Sequence, residues 1–250
     1  HEGSAWAWYF CPMLTMDTFD FAGKKALVRV DLNVPQDASG KVTDDSRARA
    51  IMRTVQKILK DGGSAILMSH LGRPKGKVNY AMSLKPVAEH LSTLLGTPVR
   101  FATDCVGPDA KAMATALKPG EVLVLENLRF HPEEEAGDEA FSKLLSELGD
   151  VYVNDAFGSW QPHVSTFTIT KYLPSYAGLL LQKEINNLDK IFSPAKPMIA
   201  VIAGAKFDTK INSLKALIKK VDYLMLGGVI LNAYLAAKYN ISINGIDDVK

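Results

Sequence analysis

Short apolar runs alternate along this chain with longer stretches in which apolar residues recur at helical spacing. The apolar runs have the length of fully buried strands and lie at 25–30, 65–69, 99–101, 122–125, 151–153, 198–202 and 223–226. The helical spacing is clearest at 84–95 and 141–148. Continuous apolar strands that alternate with helices are typical of a parallel sheet covered on both faces. The pattern therefore predicts an α/β fold with a parallel, doubly wound, Rossmann-like sheet.

The regular pattern is interrupted once, after a helical stretch at 179–192, where Ser193, Pro194 and Pro197 precede the next strand. We place the domain boundary in this stretch, which gives an α/β domain at 17–185 and a partial second α/β domain at 186–250. Residues 1–16 are expected to be an atypical extension outside the fold. They lack the basic leading region and long apolar core of a signal peptide. The alternative is that their aromatic residues form a packed plug.

The amino-acid composition and net charge of the chain limit the classes of protein to which it can belong. The chain has 250 residues, 47% of them hydrophobic and 22% charged, which is typical of a globular protein. Its net charge of +2 is too small to favour nucleic acid as a partner. No apolar run reaches the length that spans a bilayer, so we expect no membrane partner. Cys11 and Cys105 offer no disulfide framework, which favours a reducing, cytoplasmic setting.

Polar and basic residues directly follow four of the predicted strands, at 29–33, 69–74, 126–130 and 154–158, and a fifth group follows at 203–206. The carboxyl ends of parallel strands share one edge of a sheet, and ligands bind beyond that edge. Taken alone, each of these residues is more often an ordinary solvated loop residue. Their coincidence at several strand ends favours a site, which we call the rim.

The rim is rich in groups that bind anions. Its basic side chains are Arg29, Arg47, His70, Arg73 and Arg129, with Asp31 and Asn33 available as acceptors. Guanidinium groups grip phosphate and carboxylate oxygens bidentately, so a fixed cluster of them selects a small, multiply charged anion. The residues therefore predict a phosphorylated metabolite that also bears a carboxylate. Nucleic acid is a poor second, because the basic residues are not spread along a face with interleaved aromatic residues.

Six motifs resemble those of phosphoglycerate kinase in order and spacing. They are VRVDLNVP at 28–35, DDSRARA at 44–50, SHLGRPKG at 69–76, LENLRFHPEEE at 125–135, VNDAFG at 153–158 and GAKFDTKI at 204–211. The resemblance implies reversible phosphoryl transfer between 1,3-bisphosphoglycerate and ADP, which gives 3-phosphoglycerate and Mg-ATP. It also implies a glycolytic, cytoplasmic, monomeric enzyme, in which a hinge brings a glycerate domain and a nucleotide domain together.

The resemblance also assigns residues to roles. The implied substrate-binding residues are Asp31, Asn33, Arg47, His70, Arg73 and Arg129. Arg47 and Lys206 are the implied catalytic residues, since one meets the end of the substrate that is transferred and the other follows the moving phosphoryl group. The implied nucleotide-binding residues are Lys206, Lys210, Gly204, Gly227 and Gly228. No metal ligand is expected here, because the family's magnesium carboxylate is expected beyond residue 250.

Three departures from the family keep a second hypothesis open. The segment Ser159–His163 is one residue shorter than in the family and lacks its arginine. Ala203 and Val229 stand where the family has glycine, and the chain stops before the family's later glycine-rich segments. The alternative is a truncated, non-catalytic relative that keeps the fold for anion binding or assembly. Trp160, within the shortened segment, either packs into the local core or fills the space left by the arginine together with Gln161.

Overall fold

The structure, a computed structural model, describes residues 14–190, 195–204 and 211–243. The chain separates into two compact units, His1–Ile185 and Asn186–Lys250.

The first unit contains six strands and seven α-helices among the described residues. In chain order they are β1 (Lys25–Arg29), α1 (Ser46–Ala50), α2 (Met52–Lys60), β2 (Ser64–Met68), α3 (Lys85–Leu95), β3 (Val99–Phe101), α4 (Gly107–Thr115), β4 (Val122–Val124), α5 (Pro132–Ala136), α6 (Glu139–Ser146), β5 (Val151–Asn154), β6 (Ser175–Ala177) and α7 (Leu179–Asp189). Helix α7 runs across the point at which the two units separate.

The six strands form one sheet in the order β3-β4-β2-β1-β5-β6, and every neighbouring pair is parallel. Val28 in β1 lies opposite Leu67 on one side and Val153 on the other. The predicted parallel α/β fold is therefore confirmed. Strand β6 was not predicted, because Ser175–Ala177 begins with a polar residue and does not form a continuous apolar run. It joins the edge of the sheet through its backbone, where the Tyr152 N–H donates to the Pro174 carbonyl at 2.8 Å.

Two apolar cores lie against the sheet because successive residues of each strand point to opposite faces. In β1, Leu27 belongs to one core and Val28 to the other. The core with Val28 also contains residues of α2 and α3: Val55, Ile58, Val87 and Leu91. The core with Leu27 contains residues of α4 and α6: Ala110, Ala114, Phe141 and Leu145. Helices therefore cover both faces, as the continuous apolar strands predicted.

Asp155 fixes the start of α7 against the end of β5. Its Oδ1 accepts hydrogen bonds from the N–H groups of Leu180 at 2.8 Å and Leu181 at 3.1 Å, which have no partner within the helix. Burial raises the pKa of Asp155, while these N–H groups act in the opposite direction. Gly178 leaves the space that this cap requires, since a Cβ there would lie 2.3 Å from the same oxygen. The carboxyl end of β5 is thus held rigidly.

The described part of the second unit contains two strands and two helices, β7 (Ile199–Ile202), α8 (Ile211–Leu217), β8 (Tyr223–Leu226) and α9 (Gly228–Tyr239). The strands are parallel, with Ile199 opposite Tyr223. Within the described residues, one face of this pair is open: Ile199, Val201, Tyr223 and Met225 are all more than half exposed. Among the residues described in either unit, no helix is both long and apolar enough to cross a membrane.

Candidate active site

A cleft of about 380 Å³ opens beyond the carboxyl ends of β1 and β5. The chain leaves β1 toward β2 and leaves β5 toward β6, on opposite sides of the sheet order. Loops that depart in opposite directions leave a crevice between them, and ligands bind in such crevices. The cleft is lined by residues that include Asp31, Arg47, Asp155, Phe157, Gly158 and Leu180.

Asp31 and Arg47 form an ion pair at the mouth of this cleft. Arg47 Nη1 lies 3.0 Å from Asp31 Oδ1 and 2.9 Å from Oδ2. The Asp31 side chain is 15% exposed and the Arg47 side chain 49%. Asp31 Oδ1 also accepts the Asn33 N–H at 3.0 Å, which fixes the turn after β1. The carboxylate thus holds one edge of the guanidinium, and the other donors of Arg47 remain accessible to an anion.

Asn33 and Arg129 both hold the backbone of Gly72, in the loop after β2. Asn33 Oδ1 accepts the Gly72 N–H at 2.9 Å, and Arg129 Nη1 donates to the Gly72 carbonyl at 3.1 Å. Gly72 has a φ of +64°, and a Cβ there would lie 2.8 Å from Met82 Sδ. This position therefore requires glycine. The loop that carries His70 and Arg73 is tied in this way to the loops after β1 and β4.

Two buried residues that the sequence reasoning did not assign, Glu126 and Asn127, anchor the same loops. Asn127 Nδ2 donates to the carbonyls of Leu71 at 2.7 Å and Met82 at 2.9 Å. Glu126 Oε2 accepts the Ser83 hydroxyl at 2.6 Å. The sequence contained a signal for this role, namely a carboxylate and an amide directly after a buried strand. Buried polar groups of this kind must form hydrogen bonds, and the nearby backbone supplies the partners.

The arginines expected at the rim are not equally available to a ligand. Arg129 is 16% exposed and is engaged by Glu135 Oε1, 3.1 Å from its Nε. Arg73 is exposed and forms none of the described hydrogen bonds or ion pairs. The expectation that Arg29 lies among the ligand-accessible side chains of the rim was wrong. Arg29 is 2% exposed, and its guanidinium hydrogen-bonds to protein groups beneath the rim.

His70 is buried beside Arg29, with its Nδ1 3.1 Å from Arg29 Nη2. Burial lowers the pKa of His70 to about 2, and the charges of Arg29, Arg129 and Arg47 and the side chain of His163 act in the same direction. His70 is therefore a neutral imidazole at any physiological pH.

Comparison with known proteins assigns the chain to a family. The sequence model of the phosphoglycerate kinase family matches residues 16–247. The chain belongs to the phosphoglycerate kinase family. It is 52% identical over 227 residues to a phosphoglycerate kinase of Moorella thermoacetica and 50% identical over 240 residues to that of Chloroherpeton thalassium. These alignments cover 90% and 94% of the chain but only 58% and 60% of the two relatives.

Solved structures give the same result. The structure of phosphoglycerate kinase from Coxiella burnetii superposes with a TM-score of 0.83 at 35% identity, covering 94% of this chain and 59% of that one. The enzyme from Pyrococcus horikoshii gives 0.78 at 30% identity, over 91% and 58%. The fold is thus that of the family, and the chain spans somewhat less than two thirds of the length of these relatives.

The nucleotide-binding residues that the family resemblance implies are only partly described. Lys206 and Lys210 lie outside the described residues. Gly227 lies between β8 and α9, Gly228 is the first residue of α9, and Gly204 follows β7. Gly228 has a φ of +59°, and a Cβ there would lie 3.2 Å from both N and O of Gly204. Close backbone approach between the two strand ends therefore accounts for glycine at 228.

Trp160 does not pack into the local core. Its side chain is 49% exposed, so the core-packing interpretation was wrong. The short segment leading to it, 157–159, has a 3₁₀ turn, and Phe157 is also partly exposed.

One group of side chains within the described ranges has metal-ligating atoms close together. Atoms of Asp104, Cys105 and His131 lie within 4.8 Å of one another. Asp104 Oδ1 lies 2.7 Å from His131 Nε2 and accepts the Cys105 N–H at 2.6 Å. Burial raises the pKa of the Cys105 thiol well above its usual range. Hydrogen bonding explains the aspartate–histidine pair, and the thiol is held in its protonated, weakly ligating form.

Proposed function

We propose that the first unit binds 3-phosphoglycerate or 1,3-bisphosphoglycerate at the rim. The full-length protein would then transfer a phosphoryl group reversibly between 1,3-bisphosphoglycerate and ADP, giving 3-phosphoglycerate and ATP. The observation that carries this proposal is the Asp31–Arg47 pair at the mouth of a cleft beyond β1 and β5, in a chain of the phosphoglycerate kinase family.

The rim supplies the groups that such a ligand needs. Arg73, exposed and without a described partner, and Arg129, fixed by Gly72 and Glu135, would bind the anionic ends. Asp31 orients Arg47, and Asn33 orients the loop at Gly72. Both side chains also offer oxygens to the substrate hydroxyl. His70 would add a neutral donor.

Arg47 is the catalytic residue that we assign within the first unit. Phosphoryl transfer passes through a loose transition state in which negative charge spreads over the transferred oxygens, so catalysis consists of positioning and positive charge. Asp31 holds Arg47 Nη1 in place before the substrate arrives, which reduces the reorganisation needed in the transition state.

For the nucleotide, we assign Gly204, Gly227 and Gly228 with Lys206 and Lys210. The support is local: α9 is 12 residues long and begins directly after β8, so its first N–H groups lie at the carboxyl edge of that strand pair. Such a helix start attracts phosphate, and glycine lets the backbone approach it closely. Bound Mg-ATP or Mg-ADP would supply the phosphoryl group or its acceptor together with the divalent charge.

We also infer a cytoplasmic, monomeric protein whose partners are these small molecules rather than nucleic acid or membrane. The family resemblance and the net charge of +2 support this inference.

Calorimetry with 3-phosphoglycerate tests the binding proposal on this chain. We expect Arg73→Ala to weaken affinity at least tenfold, because one charge-assisted hydrogen bond contributes about 1.5–3 kcal/mol. Lys77→Ala is the matched control, since Lys77 is an exposed cation just beyond the same loop. Absence of heat at millimolar ligand from a folded chain, or equal losses in both variants, would contradict the proposal.

The catalytic proposal requires the full-length protein. An assay of ATP consumption that depends on 3-phosphoglycerate should show activity, and Arg47→Ala should lower turnover far more than it weakens 3-phosphoglycerate binding. Binding without any turnover would instead support the non-catalytic relative. Equal losses of binding and turnover would reassign Arg47 to ground-state binding.

A further inference from the structure

A set of charged and polar side chains is buried beneath the rim, where none of them can reach solvent. Arg29 is 2% exposed, Glu134 1%, Ser165 0% and Tyr152 1%. Burying ionised groups is unfavourable unless they are paired and hydrogen-bonded, so an arrangement of this kind needs a structural or functional reason.

The set is joined by short hydrogen bonds centred on Ser165. Arg29 Nε donates to Ser165 Oγ at 2.8 Å, and the same hydroxyl donates to Glu134 Oε1 at 2.5 Å. The Ser165 N–H donates to Glu134 Oε2 at 3.0 Å, and the Tyr152 hydroxyl donates to the Ser165 carbonyl at 2.7 Å. Ser165 therefore links the negative charge of Glu134 to the positive charge of Arg29. Its backbone is fixed by the hydrogen bonds with Glu134 and Tyr152.

The guanidinium is oriented by these contacts, and its remaining edge faces His70. Arg29 Nη1 donates to the Val30 carbonyl, and Nη2 lies 3.1 Å from His70 Nδ1. Burial lowers the pKa of Arg29, but the pKa of an arginine side chain is so high that it stays protonated in proteins. An arginine nitrogen can only donate, so His70 Nδ1 must accept. In a neutral imidazole the proton is then on Nε2.

Four side chains from different parts of the first unit oppose the protonation of His70. Arg129 follows β4, Arg47 lies on α1, and His163 lies in the loop after β5, while Arg29 lies at the end of β1. A cationic imidazole at this position would be buried among three arginines. His70 is therefore restricted to its neutral form.

We propose that Arg29, held by Ser165 and Glu134, is a positioning residue that fixes His70 as its neutral Nε2–H tautomer. His70 then presents a hydrogen-bond donor to an oxygen of the bound phosphoglycerate, and neither a cation nor an acceptor. The hydrogen bond to phosphoglycerate rests on the proposed function. The tautomer of His70 is a property of the free protein and does not. A neutral donor at His70 would help to orient the ligand in a site where arginines already supply the positive charge. Its protonation state would not change with pH in the physiological range.

The tautomer can be measured directly on the whole chain. In protein labelled with ¹⁵N at histidine, long-range proton–nitrogen spectra distinguish the protonated ring nitrogen from the unprotonated one. The chain has five histidines, and the signals of His70 are those lost in His70→Gln. We expect one Nε2–H form that does not titrate between about pH 5 and 8. A protonated ring in this range, or a proton on Nδ1, would overturn the proposal.

Two variants test the role of Arg29. Arg29→Gln removes the charge and offers both a donor and an acceptor, and Ser165→Ala keeps Arg29 while removing its link to Glu134. We expect a mixture of tautomers at His70 in Arg29→Gln and a smaller departure from the single form in Ser165→Ala. Either variant suffices if the other fails to fold. An unchanged single tautomer in a folded Arg29→Gln would reduce Arg29 to a merely structural role.

Calorimetry with 3-phosphoglycerate then tests whether His70 donates a hydrogen bond to the ligand. His70→Gln can still donate from its side-chain amide and should retain affinity within about threefold, while His70→Leu should lose about tenfold, the loss expected for one hydrogen bond. Equal losses in the two variants would refute the donor role. If 3-phosphoglycerate does not bind the original chain at all, the proposed function fails, and the tautomer measurement still decides the role of Arg29.

Discussion

The two sheets of this chain are built from equally apolar strands but differ in how well those strands are covered. In β2 every residue is buried, and Ile66 is 0% exposed. In β7 the residues alternate between exposed and partly buried, with Ile199 at 56% and Val201 at 71%. Helices pack on both faces of the first sheet, whereas one face of β7 and β8 is open within the described residues. An apolar run therefore indicates a strand suited to burial, but the layers around it decide whether burial is achieved.

The difference extends to the polar groups. In the first unit, Arg29, His70 and Glu134 are buried together and joined by hydrogen bonds. In the second, the Lys196–Asp222 ion pair lies at the surface, with the lysine side chain 79% exposed. A covered sheet can hold charged groups in fixed positions and protonation states, which an active site requires. The same charges at an exposed edge contribute little.

The largest expected effect compares the same substitution in the two sheets. Ile66→Ala removes a fully buried side chain and should lower the free energy of unfolding by about 2–5 kcal/mol. Ile199→Ala, at an exposed strand position, should change it by about 0.5 kcal/mol or less. Urea denaturation followed by circular dichroism measures both. Equal losses would mean that the open face of β7 and β8 is covered in solution.

A glycine pair tests how tightly the first unit is packed beside the cleft beyond β1 and β5. Gly178→Ala places a Cβ against the fixed carboxylate of Asp155 and should lower the free energy of unfolding by about 1–3 kcal/mol. Gly158→Ala, beside the same cleft, adds a methyl group with nothing within 4 Å and serves as the control. Thermal denaturation compares the two. If Gly178→Ala unfolds at the temperature of the control, the Asp155 cap is not rigid.

The pH dependence of stability tests the burial of His70. The unfolded chain protonates His70 below about pH 6.5, but the folded chain does not until its lowered pKa of about 2. The free energy of unfolding therefore falls as the pH is lowered through this range, by up to about 1.4 kcal/mol per pH unit from this group. His70→Asn should remove that contribution and flatten the curve between about pH 6.5 and 5.5. All five histidines precede residue 186, so the effect belongs to the first unit. Parallel curves for the two proteins would show that His70 is accessible to protons.

The smallest effect is expected in the second unit. Lys196→Met removes the exposed partner of Asp222 and should leave the urea midpoint unchanged, while the Met198 N–H still donates to Asp222 Oδ2 at 2.8 Å. A shift as large as that of Gly178→Ala would show that the surface pair matters and would weaken the contrast between the units.

The sequence by itself determined the parallel α/β fold, because continuous apolar runs between amphipathic stretches admit few other arrangements. It also predicted that polar residues meet at one edge of the sheet, since residues that follow parallel strands share that edge. It did not reveal β6, whose three residues join the sheet through backbone pairing with β5 rather than through a side-chain pattern.

Only the tertiary structure decided which charges are buried. Within the run Glu133–Glu135, Glu134 alone is buried, and no local pattern distinguishes it from its neighbours. Arg29, expected at the rim, lies beneath it because its guanidinium reaches Ser165, 136 residues away in the chain. Burial and protonation depend on segments that meet only when the chain folds, and so the states of Arg29, His70 and Glu134 follow from the packing and not from the order of the residues.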